Sequence, residues 1–198
     1  IGVAVMSVSM VFGIALGLSS AWFGGLFDVI VIRVMDLIVA IPSLVLAILI
    51  MAVLEPNLMN TIIAVTIVYL PRYVRLVRAS ALAELPKDYV TAAKVSGVKP
   101  FRLMTRTVFP DCAAPRIVQG ALGISDGMLE AAGLGFLGLG AQPPMAEWGS
   151  MLADSREFIT AAPWIMMMPG LAILVTVLCI NLVGDGLRDA LDPKLRRS

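Results

Sequence analysis

The chain has 198 residues, of which 59% are apolar and 15% are charged, and its formal net charge is +1. A soluble domain of this size needs more polar surface than this composition supplies, so we expect the lipid bilayer to be its solvent. The small net charge gives no reason to expect a nucleic-acid partner. The sequence has no His, the commonest general base and metal ligand, and the distant Cys112 and Cys179 form no ligand pair. We therefore expect neither a catalytic site nor a metal site.

Five apolar stretches are interpreted as membrane-spanning helices, because a helix crosses the hydrocarbon core in about 20 residues. They cover about residues 1–20, 34–54, 57–71, 117–139 and 163–183. Pro42 is expected to kink the second stretch, and Pro71 is expected to interrupt the third. The predicted fold class is all-α, a single polytopic transmembrane domain over residues 1–198. Because the chain opens at Ile1 inside an apolar run, we interpret it as a fragment or a processed chain.

Basic residues predict how these helices are oriented, since loops rich in Lys and Arg stay in the cytoplasm. Most of the Lys and Arg residues lie in segment 72–116, and the C-terminal tail holds another basic cluster. We therefore place a loop over residues 78–112 in the cytoplasm. The turn at 55–60 has no Lys or Arg, and the loop at 141–160 has only Arg156, so both are expected outside the cytoplasm.

The basic loop over residues 78–112 is predicted to form two short helices. Pro86 suits a first helical position, and Gly97 suits a left-handed cap that ends the first helix. Pro100 can start the second helix, and Pro110 is expected to close it. Its residues alone leave two interpretations open, a solvated connector that obeys the charge rule and a docking element for another protein.

Two features of the predicted spans carry packing or transport hypotheses. Asp126 and Glu130, four apart, share one face of the fourth span, and charge inside a membrane usually faces a cavity or a partner. They are candidates for a translocation path, where they would attract a free amino group; the alternative is hydrogen bonding across helices, for example to Asn181. The glycine pairs Gly13-x-x-x-Gly17 and Gly123-x-x-x-Gly127 predict close helix packing, within this chain or against a second subunit.

Residues 88–97, Asp-Tyr-Val-Thr-Ala-Ala-Lys-Val-Ser-Gly, followed by Val108-Phe109-Pro110, resemble the "EAA" loop of binding-protein-dependent ABC importer permeases. Thr91 stands where the family pattern has Glu. The resemblance implies that this loop couples the permease to a cytoplasmic ATPase. The residues that it assigns to coupling are Tyr89, Thr91, Ala92, Ala93, Gly97 and Pro110.

Much of the remaining chain is similar to one branch of that family, the dipeptide, oligopeptide and nickel permeases of the second ("C") type. The matching stretches lie at 23–42, 133–149, 169–172 and 181–193. The resemblance implies a MetI-like ABC importer transmembrane domain with the helix–Gly–helix coupling loop. Family members begin with one more membrane helix, which fits the interpretation as a fragment.

The resemblance also implies the function and the partners. The chain would be the permease of an importer for di- or oligopeptides in a bacterial or archaeal cytoplasmic (inner) membrane. It would work with a homologous second permease, two ABC ATPase subunits and an extracytoplasmic substrate-binding protein. No G-x-x-x-x-G-K-[ST] sequence occurs in the chain, so we expect it to hold no cofactor and its partners to bind ATP and Mg.

Three alternatives stay open from the sequence. The same architecture could import nickel or another small solute. An ion-coupled secondary transporter would explain the intramembrane acids but would leave the docking loop unexplained, and it would call for internal repeats. An intramembrane enzyme would need a nucleophile with a base, or a metal, and Asp126 alone gives little support for one.

Overall fold

The computed structural model describes residues 1–111 and 113–191, and in that part of the chain every regular element is a helix. Cys112 and residues 192–198 lie outside the described residues. The helices are α1 (Gly2–Phe23), α2 (Gly25–Val39), α3 (Ser43–Val53), α4 (Leu58–Glu84), α5 (Asp88–Val95), α6 (Pro100–Leu103), α7 (Phe109–Asp111), α8 (Ala113–Phe136), α9 (Trp148–Asp154) and α10 (Trp164–Leu191). A π-helical turn at Met104–Val108 joins α6 to α7, and a 3₁₀ turn at Ser155–Phe158 follows α9.

By length and apolar composition, α1 and α10 each qualify to cross a membrane, and α2 with α3 qualify as one broken span. Helices α4 and α8 have 27 and 24 residues, more than the roughly 20 that a crossing needs, but they carry charges near their middles. Those charges form the site described below.

The central contact of the fold is the packing of α1 along α4, and two glycines of α1 make it close. A Cβ at Gly13 would overlap the Cβ of Tyr73, and a Cβ at Gly17 would lie 2.8 Å from the carbonyl oxygen of Val74. The side-chain hydroxyl of Ser9 also donates a hydrogen bond across this contact. The first glycine pair therefore serves packing inside this chain.

The second glycine pair brings α8 against the α1–α4 contact. A Cβ at Gly123 would overlap the hydroxyl of Tyr73, and a Cβ at Gly127 would lie 3.3 Å from a methyl carbon of Val5. Both tyrosine and valine are buried, at 1% exposed each. Both sequence-predicted glycine pairs thus pack helices of the same chain.

The prediction of one kinked helix over residues 34–54 is wrong, because the structure has two helices there with a sharp bend between them. Helix α2 begins at Gly25 and ends at Val39, and α3 starts at Ser43 after a bend of 93°. Pro42 occupies the position before α3 with ψ 135°, because a proline cannot continue the ladder of the preceding helix and restricts the residue before it. The proline breaks the segment where only a kink was expected.

The predicted interruption at Pro71 is also wrong, since α4 continues through this residue to Glu84. Pro71 is buried inside the bundle. Neighbouring helices hold such a helix together on both sides of the missing N–H group. Arg72, Arg75 and Arg78 consequently belong to a long helix, although the charge pattern had placed them in or beside a loop.

Two further boundaries differ from the predictions. The extracytoplasmic loop predicted over 141–160 contains the short helix α9, which lies against α8 because Gly149 brings its backbone close to Ala132. In the other loop, the helical path from Pro100 runs through Pro110 to the end of α7, so this proline does not close the second helix.

Candidate functional site

Helix α5, the first short helix of the basic loop, ends as the sequence predicted. Gly97 has φ +76°, in the left-handed region. Its N–H donates to the carbonyl of Lys94 at 3.0 Å, and the N–H of Val98 donates to the carbonyl of Ala93 at 3.2 Å. These two bonds form a Schellman cap, in which glycine is favoured because it has no Cβ.

The start of α5 is tied to the end of α4 through one carboxylate. The Tyr89 hydroxyl and the Lys87 ammonium each donate a hydrogen bond of 2.7 Å to a different oxygen of Glu84. Lys87 precedes the first turn and Asp88 begins the helix, so Pro86 lies outside the helix and not at the expected first position. The brace and the cap together fix both ends of this eight-residue helix.

One face of α5 packs inward on a group of buried side chains that we call the loop cluster. Val90 is fully buried there, and Ala93 and Val98 pack against the cluster from its edge. The core of the loop cluster consists of Ala21, Ala81, Val90, Leu103, Met104 and Val108. Because it joins α1, α4, α5 and the second loop helix, α5 is seated on the ends of two long helices.

The outer face of α5 is exposed, and we call Thr91, Ala92 and Val95 the coupling surface. Val95 is 84% exposed, and it was missing from the sequence-derived set. The sequence feature that could have identified Val95 is an apolar side chain in a loop that was predicted to lie in water. Of the predicted residues, Thr91 and Ala92 belong to this surface, whereas Ala93 faces the loop cluster. Pro110 lies in α7, at the far end of the second loop helix.

Phe101 does not share the buried face of the second loop helix. Met104 and Val108 are buried, but Phe101 is 80% exposed. It lines a groove of about 580 Å³ between this helix and α1, together with Trp22 and Phe23.

Three ion pairs, which we call the arginine ladder, join Arg72, Arg75 and Arg78 of α4 to aspartates of α2 and α8. Arg72 pairs with Asp126 of α8 at 2.6 Å, and Arg75 pairs with Asp36 of α2 at 2.8 Å. Arg78 holds Asp28 of α2 through two bonds, of 2.5 and 2.6 Å. The three-residue spacing places the arginines along one side of the helix. Each ion pair therefore ties α4 to another helix.

The structure places the two predicted path residues, Asp126 and Glu130, in different surroundings. Asp126 accepts a hydrogen bond from Arg72. The sequence analysis had used Arg72 only as one of the basic residues that orient the helices. Glu130 is half-buried beside Ser43, and its Oε1 atom accepts no hydrogen bond from the described residues. The expected alternative partner Asn181 is not the residue that Asp126 contacts.

The comparisons with known proteins agree with this architecture. The family model described as "Binding-protein-dependent transport system inner membrane component" matches residues 11–197. The chain belongs to this family. Membership confirms the predicted resemblance to ABC importer permeases and the prediction of a multi-pass membrane protein.

Relatives with about half of their residues identical extend the match over nearly the whole chain. The chain is 52% identical over 198 residues to the "Di/tripeptide transport system permease protein DppC" of Pseudomonas aeruginosa, covering 100% of this chain and 65% of the relative. It is 50% identical over 196 residues to the "Dipeptide transport system permease protein DppC" of Haemophilus influenzae, covering 99% of this chain and 66% of the relative. The chain thus spans about two thirds of the length of these relatives.

A solved structure confirms the fold class. The structure titled "Inward facing conformations of the MetNI methionine ABC transporter" superimposes with a TM-score of 0.72 at 18% identity. The match covers 96% of this chain and 93% of that chain. The predicted all-α, MetI-like transmembrane fold is therefore correct.

Proposed function

We propose that this chain is the permease subunit of an ATP-driven importer that carries di- or oligopeptides across the cytoplasmic (inner) membrane. The family match and the names of the relatives support the peptide substrate. The observation that carries the coupling role is the construction of α5, which is anchored on its inner face and exposed on its outer face.

The coupling surface suits a docking partner better than it suits water. Val95 exposes an apolar side chain, and the neighbouring Thr91 and Ala92 are small enough for a partner to approach closely. The brace at Glu84 and the cap at Gly97 hold this surface in one position, which a docking contact requires. We therefore assign the coupling surface to contact with a cytoplasmic ATPase subunit.

The loop cluster gives a route by which movement of α5 reaches the membrane helices. Val90 of α5 packs with Ala21 of α1 and Ala81 of α4 in one continuous group. A displacement of α5 would carry the ends of α1 and α4 with it, because packed interiors move as units. Closure of the ATPase subunits would then shift the permease between outward-open and inward-open states.

The proposed assembly contains a homologous second permease, two ABC ATPase subunits and an extracytoplasmic substrate-binding protein. The ATPases would bind ATP and Mg, and this chain would contribute only the path and the contact. Its own reaction is therefore transport, with no chemical step.

The test is co-purification of the assembly from native membranes in mild detergent, using Val95→Asn against Val53→Asn. Val95 and Val53 are 84% and 86% exposed, but Val53 ends α3 far from the loop cluster. We expect the Val95 variant to lose the ATPases and the Val53 variant to retain them. Recovery of ATPases with the Val95 variant at the wild-type level would refute the docking role. A wild-type chain that copurifies with no ATPase would refute the proposed function.

A further inference from the structure

The Arg72–Asp126 ion pair joins the middles of two long helices. Arg72 lies near the centre of the 27-residue α4, and Asp126 near the centre of the 24-residue α8. At about 1.5 Å per residue, each lies roughly 15–20 Å from the ends of its helix. Their side chains are 58% and 39% exposed within the chain. Charges at this depth are costly in hydrocarbon, so this face meets water or another protein subunit.

The Arg72–Asp126 pair leaves hydrogen-bonding groups of both side chains unused. It differs in this from Arg78–Asp28, the least exposed pair of the arginine ladder. One bond, from Nη1 to Oδ2, joins Arg72 to Asp126. Arg78 instead uses two nitrogens on the two oxygens of Asp28, and the Ser20 hydroxyl donates to the same carboxylate. A guanidinium has five N–H donors in a planar fork, so Arg72 has donors left for a second carboxylate.

Two neighbours complete a site for opposite charges. The ring of Tyr69 lies 5.2 Å from the guanidinium carbon of Arg72 and limits its movement on one side. Glu130 lies one turn from Asp126, nearer the end of α8 that the charge pattern places outside. Its Oε1 atom accepts no hydrogen bond within the part of the chain that the structure describes. The site therefore has one cation, two carboxylates and an aromatic wall.

We propose that Arg72 and Asp126 are substrate-contacting residues that bind zwitterionic peptides by exchanging partners. The terminal carboxylate of the peptide takes the fork of Arg72, while its terminal ammonium takes Asp126, beside the buried Oε1 atom of Glu130. Without substrate, Arg72 and Asp126 neutralise each other at this depth. With substrate, each of these two residues again has an opposite partner.

This inference rests on the proposed peptide transport, and the competing explanation is that the same face packs against the second permease. The two explanations differ in what neutralisation does. Replacing both partners by neutral amides is close to neutral for a packing contact, because no charge is left unpaired. It removes both charges that a zwitterion needs.

The experiment uses the full assembly with its binding protein, reconstituted in liposomes, and measures ATP-driven uptake of labelled Ala-Ala. The test variant is Arg72→Gln with Asp126→Asn. The matched control is Arg75→Gln with Asp36→Asn, which neutralises an exposed pair one turn along the same helix. We expect the test variant to lower kcat about tenfold, through lost charge-assisted bonds, with an unchanged KM for the loaded binding protein and retained ATP hydrolysis. We expect the control to stay within about twofold of wild type.

The outcomes separate the inference from the function on which it rests. If the test variant takes up Ala-Ala with the wild-type kcat, the inference is overturned and the proposed function is not affected. An equal loss of uptake in the test and control variants also overturns it, because the loss then follows from removing either ion pair of α4 and not from this pair in particular. Absence of ATP-driven peptide uptake in the wild-type assembly overturns the proposed function and the inference together.

Discussion

Arg78 and Asp28 form a two-bond ion pair that locks α4 to α2, with nitrogen–oxygen distances of 2.5 and 2.6 Å. Their side chains are 29% and 19% exposed, less than either partner of Arg75–Asp36, at 44% and 46%. The Ser20 hydroxyl of α1 donates to the same aspartate. Three helices therefore meet at one carboxylate.

Removal of this carboxylate should destabilise the protein more than removal of its exposed counterpart. Asp28→Asn leaves Arg78 partly buried without its anionic partner, and we expect a loss of about 2 kcal/mol. Asp36→Asn breaks an exposed pair, for which about 0.5 kcal/mol is expected. Thermal unfolding of the purified variants in one detergent measures the difference. Equal melting temperatures for the two variants would contradict the expected stabilisation of the α4–α2 contact by the Arg78–Asp28 pair.

The α1–α4 contact predicts a sharp difference between two glycine substitutions. Gly13→Ala places a Cβ on top of the Cβ of Tyr73, so the helices must separate, and we expect a loss of about 2 kcal/mol. Gly186→Ala in α10 is the control, since a Cβ there meets no atom of the described residues within 4 Å. The control should leave stability unchanged or slightly raise it, because Ala favours helix over Gly. Detergent thermal unfolding compares the two, and a Gly13 variant as stable as wild type would disprove the close packing.

Features that depend on local chemistry could be predicted from the sequence. The left-handed position of Gly97 follows from a glycine placed directly after a short helical pattern. The two glycine pairs likewise showed where helices approach, since small residues at four-residue spacing permit contact. Which helix each pair contacts was not contained in that spacing.

Features set by tertiary packing could not be predicted in the same way. Arg72 and Asp126 are separated by 54 positions, so nothing local indicated that they pair. Pro71 suggested an interruption, but α1 packs on α4 around it, through Ser9 to Thr66 on one side and Gly13 to Tyr73 on the other. The rule that basic residues lie in cytoplasmic loops likewise placed the arginines of α4 in or beside a loop. Val95 was passed over because the matched motif did not include it.

The cap of α5 can be tested apart from the docking surface. Gly97→Ala puts a side chain on a residue with φ +76°, which costs about 1 kcal/mol and should fray the end of the helix. Lys99→Ala is the control, because Lys99 is an exposed residue two positions further on and has an ordinary negative φ of −58°. We expect faster amide hydrogen exchange over residues 94–98 in the Gly97 variant and little change in the control. Identical exchange in both would show that the cap does not hold α5 in place.

The surroundings of Glu147, in the loop between α8 and α9, predict a pH-dependent contact away from the α5 loop. Its carboxylate oxygens lie against Gly135 and Gly140, where a Cβ would come within 2.8 Å or less. Burial raises the pKa of this carboxyl above its usual value, and the nearby backbone N–H groups of Ser150, Ala141 and Gly149 only partly oppose that.

The sign of the effect follows from proton binding. The packed loop binds the Glu147 proton more tightly than an opened loop does, so closure is favoured at low pH. This advantage is lost as pH rises from the usual carboxyl value, about 4.3, through the raised pKa of the packed state. After correction for intrinsic exchange, protection of amides in residues 141–154 should therefore fall as pH rises. Glu147→Gln should remove this dependence, whereas Glu157→Gln, at an exposed position in the same loop region, should preserve it. Wild-type protection that stays constant between about pH 4 and about pH 7 would rule out Glu147 as the group responsible.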